Sequence, residues 1–140
     1  MVYSQILTLS TRGNADVHDI TDKVEAAVAA AEIRTGLACL FTPSSTSALT
    51  TLEFESGAVE DLRRALEHLA PSTGEYLHNL RWGDGNGHAH LRAALLGPSL
   101  CVPIADGRPV LGTWQQVVFI DFDVRPRRRE IRLHVVGEPE

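Results

Sequence analysis

Both ends of this chain are written in strand-like alternation, and the helical signals fall between them. At the start, Tyr3, Gln5, Leu7 and Leu9 alternate with Ser4, Ile6, Thr8 and Ser10 over Val2 to Thr11. At the end, Ile131, Leu133 and Val135 share one face of Arg129 to Val136, with Arg132 and His134 on the other. That order argues against repeated strand and helix units around a parallel nucleotide-binding sheet. It predicts an α+β fold, a mainly antiparallel sheet with two to three helices. The 140 residues suit one domain, 1–140, able to bury roughly 68% of its unfolded surface.

Between the ends, Asp22 with Glu25 three residues on resembles a capping pair, and Val24, Ala27, Val28 and Ala31 recur at helical spacing until Gly36. Leu37 to Thr42 and Ala48 to Glu55 read as strands on either side of a Pro43-Ser44-Ser45 break. A second helix is expected over Val59 to Leu69, with Val59, Leu62, Leu66 and Leu69 inward, ending at Ala70-Pro71. Ser99 to Ile104 and Pro109 to Phe122 flank a hairpin turn at Ala105-Asp106-Gly107-Arg108.

The net charge of -5 argues against general affinity for nucleic acid. No apolar run approaches the roughly 20 residues of a membrane helix, and no secretory signal is read at the start, so a cytoplasmic protein is expected. Cys39 and Cys101 each sit in an apolar run and are expected as reduced core thiols. Arg125-Pro126-Arg127-Arg128-Arg129 is either a solvated turn or an anion-holding cluster.

Unusual chemistry concentrates in Asp84 to Gly97, which holds Gly85, Asn86, Gly87, His88 and His90. The glycines predict a tight turn opening into a short helix. His90, Leu91, Ala94 and Leu95 have the spacing of one buried face, so His90 is expected inward, Arg92 outward and His88 elsewhere. The preceding stretch, Ser72 to Gly87, reads as a functional loop containing Tyr76, His78 and Trp82.

Glu53, His78 and His90 are the candidate catalytic residues. A Glu and two His from separate elements can act as acid and base, or can hold a divalent cation with an open position. Each His otherwise reads as a hydrogen-bonded packing residue. Asp84 and His88 are possible companions. A helix start with free N–H groups suits a phosphate oxygen, with Arg81 or Arg127 supplying charge-assisted contacts. Gln115 and Gln116 point to opposite faces of a strand, so at least one needs a polar partner. Ser44, Ser45 and Thr46 read as a loop cap.

Several motifs together carry a family likeness. Gly-Asn-x-x-Ala-His-Leu at 85 to 91, Leu-x-Gly-x-Ser at 95 to 99, Val-Pro-x-x-x-Gly at 102 to 107, Leu-Gly-Thr-Trp-Gln at 111 to 115 and Arg-Pro-Arg-Arg-Arg at 125 to 129 resemble the YjbQ family. Its members are often labelled secondary thiamine-phosphate synthases. The resemblance implies an α+β fold assembling as a homotrimer, with a cleft lined by Glu53, His78 and His90. It also implies a transferase that joins a pyrimidine diphosphate to a thiazole phosphate as a weak or secondary activity. Glu53, His78 and His90 would then be catalytic groups or ligands of a divalent metal, Zn²⁺ or Mg²⁺, while Arg127, Asn86 and Gln115 would contact a small phosphorylated metabolite. The chain departs from the pattern in having Pro43-Ser44-Ser45-Thr46 where many members have Pro-His-Thr-Thr, and Leu52-Glu53 where many have Asn-Glu. Those departures keep a second expectation open, a non-catalytic metal- or phosphometabolite-binding protein.

Overall fold

A computed structural model describes residues 1–139. In chain order the elements are β1 (Val2–Thr11), β2 (Asp16–Asp19), α1 (Thr21–Ala31), β3 (Ile33–Phe41), β4 (Ser47–Leu52), α2 (Ser56–Leu69), α3 (Leu77–Trp82), α4 (Gly87–Leu96), β5 (Ser99–Ala105), β6 (Arg108–Pro109), β7 (Gln116–Asp121) and β8 (Arg127–Pro139). The strands form two sheets, in the orders β1-β8-β3-β5-β6 and β2-β7-β4. Every described pairing is antiparallel. The two ends of the chain meet directly, β1 running against β8 from Val2 opposite Val136 to Thr11 opposite Arg127.

The small sheet is the middle layer, which explains the near-continuous apolar run of β7. Val117 and Phe119 face the large sheet, packing with Leu40, Ile131 and Leu133 and with the Val24, Ala27, Val28 and Ala31 stripe of α1. Val118 and Ile120 face the other way, onto Leu66 of α2 and Ala89 and Ala93 of α4. A period of two on a strand covered on both faces thus serves two cores with one sequence. No helix among the described residues is long and apolar enough to cross a membrane.

Several expectations need correction. There are four helices among the described residues rather than two to three, because Leu77–Trp82 within the expected loop is itself helical. The helix α1 stops at Glu32, which adopts φ 54 as its C-cap, and Gly36 lies inside β3. There it faces Gly137 so closely that an added Cβ would collide with the Val136 carbonyl oxygen. In α2, Leu69 is 67% exposed because the helix ends there over no partner. The strand β4 ends at Leu52, since the Glu55 carboxylate turns back to accept the Gly57 and Ala58 N–H groups and starts α2. What reads as one strand from Pro109 to Phe122 is split, because the Gln115 side chain accepts from Gly112 N and closes a turn between β6 and β7. Cys39 and Cys101 are exposed, because Ala38, Leu40 and Val102 take the inward positions of β3 and β5. The Asp106-Gly107 hairpin is as expected: both residues have positive φ and join paired Ala105 and Arg108.

Candidate functional site

The turn before α4 is built from side chains that replace missing helix partners. Asp84 accepts from Asn86 N at 3.1 Å and Asn79 Oδ1 accepts from Gly87 N at 2.9 Å. The Asn86 amide is fixed on both sides: Oδ1 accepts from Val124 N at 3.1 Å and Nδ2 donates to Asp123 at 3.4 Å. Gly87 has no substitute at its position, since a Cβ there would overlap the Tyr76 side chain.

The face of α4 that turns inward differs from the one its apolar spacing suggests. His88, Ala89, Arg92 and Ala93 are buried, whereas Leu91 and Leu95 are exposed and His90 is half-buried. Arg92 can go inward because its charge is met there: Nε and Nη2 donate to Ala70 O at 3.0 and 2.9 Å, and Nη2 reaches Glu67 at 2.6 Å. Small Ala89 and Ala93 then let the helix lie close on Ala48, Val118 and Ile120. Burial first, and then the Arg92 charge, lower the His88 pKa, so this imidazole is neutral near pH 7. It packs toward Tyr76, with ring centroids 6.4 Å apart.

With that rotation, His90 looks out over a small cleft of about 220 Å³ lined by Ser44, Ser45, Ser47, Ala93 and Pro98. The short helix α3 brings His78 against His90, its ring centroid 4.4 Å from that of His90 and tilted by 44°. His78 Nδ1 lies 3.3 Å from Asn79 Oδ1 and 3.5 Å from Asp84 Oδ1. One acidic group therefore backs one of two adjoining imidazoles, and His90 shares its cleft with three serines. Such a set can donate to an anion's oxygens and exchange a proton with it.

Behind the cleft lies a buried ionic network. Arg129 Nε and Nη2 clasp Asp121 at 2.7 and 3.0 Å, Thr11 Oγ1 donates to Asp121 at 2.6 Å, and Asp123 accepts from Thr46 at 3.1 Å and Arg127 at 3.1 Å. Burial alone would raise the Asp123 pKa, but the bonds from Arg127, Arg125 N and Thr46 and the Arg127 charge hold it below the usual carboxylate range. The basic run thus has two of its arginines, 127 and 129, turned inward onto carboxylates. Arg127 Nε is buried with no partner among the described residues, which leaves one donor beside its ion pair.

The structure gathers the sequence-derived candidates unequally. His78, His90 and Asp84 come together, and Asn86 and Arg127 stand behind them on Asp123. Glu53 and Gln115 lie elsewhere. Ser47, at the cleft, and Leu52 are separated by five steps of extended strand, about 17 Å, and Glu53 follows Leu52. Gln115 is at that far end too, donating to Thr51 at 3.1 Å. Among the described residues no three His, Cys, Asp or Glu side chains gather as a metal centre. The expected ligand set of Glu53, His78 and His90 therefore does not form within one chain. Asp121 and Asp123 were not among the candidates, and Arg129 reads only as part of a solvated or anion-holding run; the D-x-D spacing at 121 and 123, ahead of the arginine run, was the available signal. Ser44 and Ser45, read as a loop cap, line the cleft as well.

Comparison with known proteins follows the same outline as the fold. The family described as UPF0047 protein YjbQ-like matches residues 5–138. A UPF0047 protein of Archaeoglobus fulgidus is 43% identical over 125 residues, 89% of this chain and 94% of that protein. One from Methanothermobacter thermautotrophicus is 41% identical over 138 residues, 99% of this chain and 94% of that protein. Among solved structures, a YbjQ-like protein of unknown function from Sulfolobus solfataricus superposes with a TM-score of 0.94 at 33% identity, covering 99% of both chains. A hypothetical protein from Aeropyrum pernix gives 0.90 at 34% identity, covering 97% of this chain and 99% of that one.

Proposed function

Because the chain belongs to the YjbQ-like UPF0047 family, we propose that it binds a small phosphorylated metabolite at the His78–His90 cleft and acts there as a weak or secondary thiamine-phosphate synthase-like transferase. The observation that carries this reading is the pair of imidazole rings at 4.4 Å, one backed by Asp84, beside the hydroxyls of Ser44 and Ser45. In the reaction, the thiazole nitrogen attacks the methylene carbon of the pyrimidine diphosphate. A C–N bond forms, the C–O bond breaks, and diphosphate departs with the electron pair. The serine hydroxyls and imidazole N–H groups donate to the departing oxygens and offset their growing charge, with the His78 ring held beside Asp84.

Assembly as a homotrimer belongs to the same proposal. Leu77, Leu80 and Trp82 of α3 are 84%, 83% and 67% exposed, and Leu91 and Leu95 of α4 are exposed as well. Apolar surface of that extent is what a neighbouring copy covers. A head-to-tail neighbour would also set its Glu53 and Gln115 end against the histidines, and a threefold rotation closes such heterologous contacts into a ring.

The test is an assay of purified protein with both substrates, repeated for His78→Ala and His90→Ala. Turnover lost in both variants is expected; equal rates in wild type and variants would remove the assignment. A second reading, a non-catalytic phosphometabolite-binding protein, is favoured by the separation of Glu53 from the histidines within one chain. It predicts a thermal shift with inorganic diphosphate that His90→Ala abolishes, with no turnover in any form.

A further inference from the structure

The two cysteines of the chain, 62 residues apart in sequence, face each other across β3 and β5. Cys39 and Cys101 are register partners, both are exposed, and their Sγ atoms are 3.4 Å apart. Directly opposed residues of antiparallel strands have Cα atoms about 4.5 or 5.5 Å apart, and both values lie in the range a disulfide spans, about 4.4–6.8 Å. The sulfurs need only close the remaining gap by side-chain rotation.

We propose that Cys39 and Cys101 are a redox modification site, a dithiol that small-molecule disulfides such as oxidised glutathione convert reversibly into an intrachain disulfide. One cysteine loses its proton to solvent and attacks the small disulfide, releasing one small thiolate and leaving a mixed disulfide. The second cysteine, likewise deprotonated, attacks the protein sulfur of that bond and releases the other small thiolate. The protein pair loses two electrons, the small disulfide gains two, and the released protons return to the two small thiols. Partial burial and then the neighbouring Cys101 raise the Cys39 pKa, so Cys39 rests as a thiol until an oxidant arrives.

The segment enclosed by the bond holds β4, α2, α3 and α4, and with them Ser44, Ser45, His78, Asp84 and His90. Oxidation therefore clamps the whole loop that carries the cleft, while the exposed outer face of the large sheet receives the oxidant. The inference is independent of what the cleft binds.

The experiment is incubation of the full chain with oxidised glutathione, followed by intact mass, free-thiol count, non-reducing electrophoresis and thermal melting. The expected result is loss of both thiols, a mass about 2 Da lower, a single-chain mobility and a melting temperature raised by about 5–10 °C. Dithiothreitol restores the starting state. In Cys39→Ser, the remaining Cys101 has no partner and keeps a glutathione adduct. A wild-type chain that keeps both thiols, accumulates the glutathione adduct or links to a second chain would overturn the proposal. A fall in melting temperature on oxidation would overturn it as well, because the bond would then form only by breaking the sheet.

Discussion

Arg129 holds Asp121 with two nitrogens, Nε on Oδ2 at 2.7 Å and Nη2 on Oδ1 at 3.0 Å, where the carboxylate has no exposure to solvent. The same guanidinium reaches Thr46 Oγ1 at 2.8 Å, so one side chain ties β8 to β7 and to the loop that carries Ser44 and Ser45. Removing one partner of such a pair leaves an uncompensated buried charge, which costs about 3–5 kcal/mol. Arg129→Ala should lower the urea-unfolding free energy by that amount. Arg129→Lys should recover part of the loss, because one ammonium cannot serve both carboxylate oxygens. A loss under 1 kcal/mol for Arg129→Ala would mean the network is incidental to stability.

His88 and Asp123 contribute to the response to acid in two different pH ranges. The His88 pKa is lowered from its ordinary value near 6.5, chiefly by burial, so between its folded value and 6.5 the unfolded chain binds more protons than the folded one. Stability from this source is complete above 6.5 and declines as the pH falls below it. The Asp123 pKa is lowered from 3.8, so its contribution is present above 3.8 and is lost as the pH falls through the folded value. Urea midpoints measured from pH 7.5 downward should therefore drop in two stages. His88→Gln should remove the first, and Asp123→Asn should reduce the second, which Asp16, Glu55 and Glu67 share because their pKa values are lowered too; a first stage that survives in His88→Gln would refute this attribution.

Periodicity was legible where one face of an element meets one core. The Val24, Ala27, Val28 and Ala31 stripe of α1 is the buried stripe, and the alternation at Ile131, Leu133 and Val135 is the inward face of β8. It misled where a polar residue finds its partner far away in sequence. Arg92 is inside because Ala70 O and Glu67 meet it, and no local spacing announces those contacts. Once Arg92 turns inward, Leu91 and Leu95 must turn outward and His90 arrives at the cleft rim. Asp121 and Asp123 were hidden for the same reason: their arginines follow within eight residues, but the Thr11, Thr46 and Asn86 contacts that define the network span the whole chain. The likeness in the motifs from 85 to 129 implied a cleft lined by Glu53, His78 and His90; the structure sets the rings of His78 and His90 4.4 Å apart, with the expected companion Asp84 beside His78, and leaves Glu53 past the far end of β4.

Gly87 offers a test of the cleft that leaves its histidines in place. A methyl group there overlaps Tyr76, the residue before α3, so Gly87→Ala should push α3 away from α4 and separate the two imidazoles. The clash adds about 1–3 kcal/mol of overpacking cost. The altered spacing should show as changed His78 and His90 chemical shifts and as weaker inorganic diphosphate binding. A variant with wild-type shifts and affinity would show that Tyr76 yields without moving α3.

The distance between Glu53 and the His78–His90 pair supplies the sharpest test of the proposed assembly. Within one chain, β4 keeps them apart by most of its length. If each site in a ring takes Glu53 from one copy and His90 from its neighbour, then Glu53→Ala and His90→Ala each inactivate the pure oligomer, which should have three times the chain mass of 15.3 kDa by light scattering. Co-folding the two variants in equal amounts places an intact Glu53 against an intact His90 at about a quarter of the heterologous contacts. The mixture should accordingly recover about a quarter of wild-type turnover, since activity at each contact depends only on the two copies that meet there. If every site is instead made within one chain, Glu53 takes no part: Glu53→Ala keeps wild-type turnover and the mixture shows about half of it. A monomeric mass would dispose of shared sites altogether, and Glu53 would then have no route to the histidines.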